Sequence, residues 1–135
     1  MALMNSSKKI YNFITYIQNK KFGDYYLPAR YQYVILRDYY KKFNKSFILP
    51  QGEPVFTKTA IRLRTIIAKM KSQDSLILLS VHMLPDDREI RLKILKQLAK
   101  KKIKLHCIFE NMVARNKNEL KALNDLIELE KFNKS

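Results

Sequence analysis

Apolar positions along this chain follow two alternating periods. Short unbroken runs of β-branched, aromatic and aliphatic residues recur four times: KIYNFITYI with its core at 10–17, SFIL at 46–49, DSLILLS at 74–80 and IKLHCIF at 103–109. Such runs predict strands, and the continuous DSLILLS run predicts one covered on both faces. Between them, apolar residues fall at three- and four-residue steps, the period of a helix face. ARYQYVILRDYYKKF carries Tyr31, Val34, Ile35, Asp38 and Tyr39 in that rhythm, and Pro28 suits its first turn because a missing N–H is no loss there. TKTAIRLRTIIAKMK sets Ile61, Ile66, Ile67 and Met70 among basic residues. DREIRLKILKQLAKKK aligns Ile90, Ile94, Leu95 and Leu98, and Asp86 with Glu89 makes a capping box before them. NKNELKALNDLIELEKF offers Leu120, Leu123, Ile127 and Phe132 as its buried stripe.

The resulting order is β-α-β-α-β-α-β-α. Strict alternation of that kind requires parallel strands joined by right-handed crossovers, with helices on both faces. The expected fold is therefore α/β: a single-domain, three-layer βαβαβαβα sandwich over residues 1–135, with a parallel four-stranded sheet in the order 2-1-3-4, as in flavodoxin-like proteins. Residues 1–8 read as a disordered tail, and PQGEPVF, with two prolines and a glycine, reads as a loop. A sheet of this order opens a crevice where the strand order reverses, beyond the carboxyl ends of strands one and three. The residues delivered there are Gln18 and Asn19, Gln51 to Glu53, and Ser80 and His82; Glu110 and Asn111 follow strand four.

Composition narrows the class. A chain of 135 residues that is 47% hydrophobic buries a proper core and is not a disordered segment. Cys107 is the only cysteine, so no internal disulfide forms and no multi-cysteine metal site exists; a reducing compartment fits. No apolar run reaches the ~18 residues of a membrane span, and MALMNSSKKIYNF lacks a secretory signal's apolar segment, so the expected location is cytoplasmic. Net charge is +15, from 27 Lys and Arg against 12 Asp and Glu, which concentrates anions of any kind at the surface. Abundant Lys, Asn, Ile, Tyr and Phe with two glycines are also what an AT-rich genome yields, so the charge does not by itself name a partner.

Candidate chemistry is sparse. The chain has no G-x-x-x-x-G-K-[ST] loop, no G-x-G-x-x-G, no H-E-x-x-H and no zinc spacing, and no cofactor is implied. Anion binding would have to use helix N-termini and basic side chains. His82, on a short loop with an unperturbed pKa near neutrality, suits an acid, a base or a phosphate partner; a loop histidine that only hydrogen-bonds is the competing reading. His106 lies within a strand, where a packed histidine is the commoner outcome. Ser80 has a nucleophile's hydroxyl, but no G-x-S-x-G elbow surrounds it. Glu53 and Glu110 are the available carboxylates, Asp86 and Asp87 read as a helix cap, and Arg37 with Asp38 reads as an exposed helix pair.

Two resemblances bear on function. The segments LPARYQYVILRDYYKK, LPQGEPVF, DSLILLSVHMLPDDREIR and KLHCIFEN, in that order over about a hundred residues, resemble the sporadic carbohydrate cluster family, small bacterial proteins of surface-polysaccharide gene clusters. The matching positions are Pro28, Gln32, Arg37, Asp38, Tyr39, Glu53, Ser80, Leu84, Pro85, Arg91, Leu105, His106 and Glu110; Tyr33 and Pro50 depart from the pattern. The resemblance implies a setting in carbohydrate assembly or modification, and no particular reaction. The stretch 74–111 is also similar in layout to the later part of a serine-recombinase catalytic domain. A resolvase needs a nucleophilic serine just after strand one and arginines after strand three; TYIQNKK and SVHMLPDD supply neither, which excludes DNA strand exchange.

The leading expectation is a cytoplasmic protein of surface-carbohydrate biosynthesis that binds an anionic sugar or nucleotide sugar at the carboxyl edge of the sheet. If it is an enzyme, His82 is the expected acid–base group, Glu53 or Glu110 its carboxylate partner and Arg37 an anion clamp. Gln32, Ser80, Arg91 and His106 complete the expected binding set, with no metal. Two alternatives stand beside it. One is a non-catalytic subunit that docks on a carbohydrate-cluster enzyme, or on a second copy of itself, through the tyrosines around Tyr39 and Tyr40. The other is a catalytically inactive, resolvase-like nucleic-acid binder, whose affinity would fall steeply with salt.

Overall fold

The computed structural model describes residues 12–18, 26–47, 52–53 and 61–134. The first extended run comprises β1 (Phe13–Thr15) and β2 (Ile17–Gln18), interrupted at Tyr16. There follow α1 (Ala29–Lys41), β3 (Gly52–Glu53), α2 (Ile61–Lys69) and β4 (Ser75–Leu78). A 3-10 turn (Val81–Met83) leads to α3 (Arg88–Lys101), β5 (Lys104–Cys107), β6 (Met112–Ala114) and α4 (Lys117–Lys134). The expected tail at 1–8, Asn19 and Gln51 lie outside the described residues. Among the described residues, no helix is long and apolar enough to cross a membrane.

Parallel pairing dominates. Strand β1 runs alongside β4 with Ile14 opposite Leu76, and β4 runs alongside β5 with Ile77 opposite His106. On the other side Ile17 and Gln18 of β2 pair with Gly52 and Glu53 of β3. Because β1 and β2 are one run, the order across the molecule is β3, β1/β2, β4, β5, β6. The chain is thus a single α/β domain whose parallel strands follow the 2-1-3-4 order, with the reversal point between β1/β2 and β4. The central strand β4 is buried along its whole length, as its unbroken apolar run requires. Leu76, Ile77, Leu78 and Leu79 meet Leu36, Leu63 and Ile67 from the helices that follow strands one and two, and Leu98, Leu105 and Leu123 from the second half of the chain.

Three details differ from expectation. Strand two is not SFIL: Ser46 and Phe47 are outside any strand, 48–49 lie outside the described residues, and the pairing comes from Gly52–Glu53 within the segment that reads as a loop. A two-residue bridge is made by the backbone alone and leaves no hydropathy pattern. The sheet also gains an antiparallel edge, because Asn111 adopts the left-handed region (φ 54°) and turns the chain so that Met112 lies opposite Cys107. Asparagine tolerates that region better than other non-glycine residues. Finally, α1 buries Gln32, Leu36 and Tyr40, while Tyr31 and Val34 remain about half exposed (48% and 50%). The buried stripe starts at a polar residue, Gln32, so apolar periodicity places the face about one residue off: Ile35 and Tyr39 pack against the core only in part.

Helix α3 begins one residue later than the expected box: Asp87 is the N-cap, its Oδ1 accepting the Ile90 N–H at 3.1 Å. Asp87→Ala is expected to lower stability by about 1 kcal/mol, seen as a fall of about 4 °C in Tm by thermal unfolding.

Candidate functional site

At the carboxyl end of β2, Gln18 is buried and donates from Nε2 to the Tyr16 hydroxyl (3.2 Å) and to the Met83 carbonyl (2.9 Å). The loop after β4 is thereby fastened to the end of strand one, across the reversal point. Gln32, in the first turn of α1, donates from Nε2 to the Gln18 carbonyl (2.7 Å) and to the Leu27 carbonyl (2.6 Å). Its Oε1 is buried and meets no donor among the described residues. Leaving such an acceptor unpaired costs about 1–3 kcal/mol, which a hydroxyl or amine entering there would recover. The backbone of Glu53 lies beside Gln18 through the β2–β3 pairing; its side chain lies outside the described part.

The next two strands contribute a second cluster. Ser80 is fully buried and donates its hydroxyl proton to Glu110 Oε2 at 2.7 Å, while Glu110 Oε1 accepts the Val81 N–H at 2.9 Å. Ser80 Oγ in turn accepts the His82 N–H at 3.2 Å, capping the 3-10 turn. A serine enclosed in this way holds a loop in place. Glu110 is half-exposed, and each of its oxygens retains a free lone pair for a donor from outside.

His82 does not join this cluster through its side chain. Its Nε2 meets Glu130 Oε2 of α4 at 2.7 Å, so among the described side chains its carboxylate partner is Glu130 and not Glu110. The imidazole is drawn to the helix layer by a residue 48 positions away, and nothing in the local sequence signals it. His106 packs in β5 against the rings of Phe13, Tyr39 and Phe43, and its Nδ1 shares a hydrogen bond with the Tyr39 hydroxyl at 2.7 Å. Burial, reinforced by the charges of Lys104 and Arg115, pushes its pKa down from 6.5 to about 4. Cys107 beside it is buried, which raises its thiol pKa well above the ordinary value.

Arg91 is 1% exposed. Its Nε donates to Asn124 Oδ1 (2.7 Å), and one terminal nitrogen donates to the Pro85 and Asp86 carbonyls (3.2 and 3.1 Å). It fastens the loop before α3 to α4, and its second terminal nitrogen faces Glu128 at 3.8 Å. Asn124, a polar residue inside the Leu120–Leu123–Ile127 stripe, was the one sequence signal of this clamp. Arg37 and Asp38 are exposed, and Arg37 lies about 7.5 Å further along the α1 axis than Gln32, away from the carboxyl edge. The tyrosine face is mostly internal: Tyr40 is buried and bonds the Thr15 hydroxyl, and Tyr39 is half-buried on His106.

The structure thus brings Gln18, Gln32, Ser80 and Glu110 to the loops at one edge, and it sends His82, Arg91, His106 and Arg37 elsewhere. Among the described residues no group of three or more His, Cys, Asp or Glu side chains converges to hold a metal ion. The described groups at this edge are amide, hydroxyl and carboxylate, which recognise hydroxyl-rich ligands by hydrogen bonding. This defines an α/β domain with a cluster of hydrogen-bonded polar side chains at the carboxyl edge of its sheet. No family model matches the chain, and no curated protein matches it.

Proposed function

We propose that this chain is a cytoplasmic protein of bacterial surface-carbohydrate biosynthesis or modification that binds a nucleotide sugar or other anionic sugar at the carboxyl edge of its sheet. The observation that carries the binding edge is Gln32 Oε1: a buried acceptor that meets no donor among the described residues, at the point where open α/β sheets bind ligands. Glu110, half-exposed beyond the neighbouring strand, supplies the acceptor pair that vicinal sugar hydroxyls fit. The carbohydrate setting rests on the sequence resemblance. Recognition, rather than turnover, is the role these groups support, since His82 and Glu110 are each engaged with a different partner.

A thermal-shift screen of nucleotide sugars and sugar phosphates tests the reading. A binding ligand should raise Tm by several degrees at a hundredfold excess over its dissociation constant, equivalent to about 2.7 kcal/mol. Glu110→Gln keeps the acceptor for the Val81 N–H and reverses the Ser80 bond, its Nε2 donating to Ser80 Oγ, so it should fold while binding the ligand about tenfold more weakly. Absence of any shift across the screen would refute the ligand. Absence of a shift together with a co-purifying cluster enzyme would favour the docking subunit, for which Tyr26, Tyr31 and Val34 are among the exposed apolar residues.

A further inference from the structure

Beyond the carboxyl edge, a cavity of about 510 Å³ lies between α1 and the segment that follows it, lined by Tyr33, Arg37, Lys41, Lys45, Ser46 and Phe47. Tyr33, Arg37 and Lys41 recur at four-residue steps and share one face of α1, about 100° round from the buried Gln32–Leu36–Tyr40 stripe. The cavity therefore opens on a different side of the helix from the crevice. Three of its six lining residues are cationic and none is acidic. Cations four residues apart repel one another and destabilise a helix unless an anion lies between them. Among the described residues, neither Arg37 nor Lys41 has a carboxylate partner, whereas Arg88, Arg91 and Arg115 each meet one. The Lys45 ammonium lies over the Phe13 ring at 5.5 Å, which keeps a third positive charge at the end of the same wall.

The apolar part of the lining is aromatic. Tyr33 and Phe47 are half-buried, with ring centroids 6.0 Å apart and planes tilted by 47°. An inorganic anion needs no such surface. A ligand that joins phosphates to a planar ring uses both halves: guanidinium, ammonium and the Ser46 hydroxyl for the phosphates, and the aromatic pair for the ring. The volume also falls within the range of small-ligand pockets.

We infer that this cavity is a nucleotide site, taking the diphosphate of a nucleoside diphosphate on Arg37, Lys41 and Lys45 and its base against Tyr33 and Phe47. It is separate from the carboxyl edge and stands whether or not a sugar binds there.

Isothermal titration calorimetry on the full chain with UDP, ADP, uridine and inorganic phosphate tests the assignment. At least one diphosphate should bind, and uridine and phosphate should each bind at least tenfold more weakly. Arg37→Gln and Lys41→Gln, both at exposed positions, should each weaken the diphosphate about tenfold. Glu110→Gln should leave it unchanged, which separates this site from the edge. Lys96→Gln, on α3, should also leave it unchanged. Three outcomes would overturn the inference: no diphosphate binding, binding of phosphate as tight as of the nucleotide, or equal weakening by Lys96→Gln, which would mark a diffuse attraction to the net charge.

Discussion

Arg91→Ala is expected to be the most damaging single substitution in the second half of the chain, lowering unfolding free energy by about 3–5 kcal/mol. The guanidinium is buried, and its removal strips donors from three acceptors at once: the Pro85 and Asp86 carbonyls and Asn124 Oδ1. Its distance to Glu128, 3.8 Å, is longer than a hydrogen bond, so the ion pair is the lesser part. Arg91→Lys keeps the charge but not the planar fork that reaches carbonyls on one side and the amide on the other, and should recover less than half of the loss. Urea unfolding of the three proteins measures this directly. Against a total stability of about 5–15 kcal/mol, the alanine variant should be close to unfolding at 37 °C. A loss under about 1 kcal/mol would mean that water satisfies those acceptors and that the clamp is incidental.

The second large effect is a pH dependence. His106 is held neutral in the folded protein, with a pKa of about 4 against 6.5 for an ordinary histidine. Above pH 6.5 both folded and unfolded chains carry it neutral, and its contribution is fully present. As pH falls from 6.5 through about 4, only the unfolded chain takes up the proton, so stability is lost across that window and the loss levels off below it. The whole shift corresponds to about 3 kcal/mol. His106→Phe fits the aromatic surroundings of Phe13, Tyr39 and Phe43 and removes the titration. Unfolding free energies at pH 7 and pH 4.5 should therefore converge in the variant by about 2 kcal/mol relative to the parent, with the carboxylates common to both cancelling out. Parallel pH profiles for the two proteins would show that His106 gains no protonation on unfolding.

Both residues bear on how far a site can be read from a sequence. Arg91 reads as one of the basic residues opposite the Ile90–Ile94–Leu95–Leu98 face and as a ligand-binding candidate; only the structure shows it buried against its own backbone. His106 within IKLHCIF read both as a packed histidine and as a member of the binding set; it is buried among Phe13, Tyr39 and Phe43. Ser80 and Glu110 follow adjacent parallel strands, and their meeting is a consequence of topology: once β4 and β5 pair in register, the residues just beyond them are neighbours. His82 is the opposite case. Its backbone sits where the pattern puts it, but its ring follows Glu130 on the last helix. Helix α1 shows the same limit, since Gln32 and Tyr40 are buried through hydrogen bonds to Gln18, Leu27 and Thr15 that no hydropathy pattern records.

The sequence by itself determined the alternation of strands and helices, the buried central strand and the parallel order around one reversal. Those features follow from local periodicity and from the handedness of βαβ crossovers, which act within a few tens of residues. Tertiary structure alone decided the two-residue third strand, the antiparallel edge after Asn111 and the face on which α1 is buried. It also decided which polar side chains meet at the crevice and which are taken up elsewhere. A buried polar group must find a hydrogen-bond partner, and that partner is chosen by proximity in space, with no trace in the neighbouring residues.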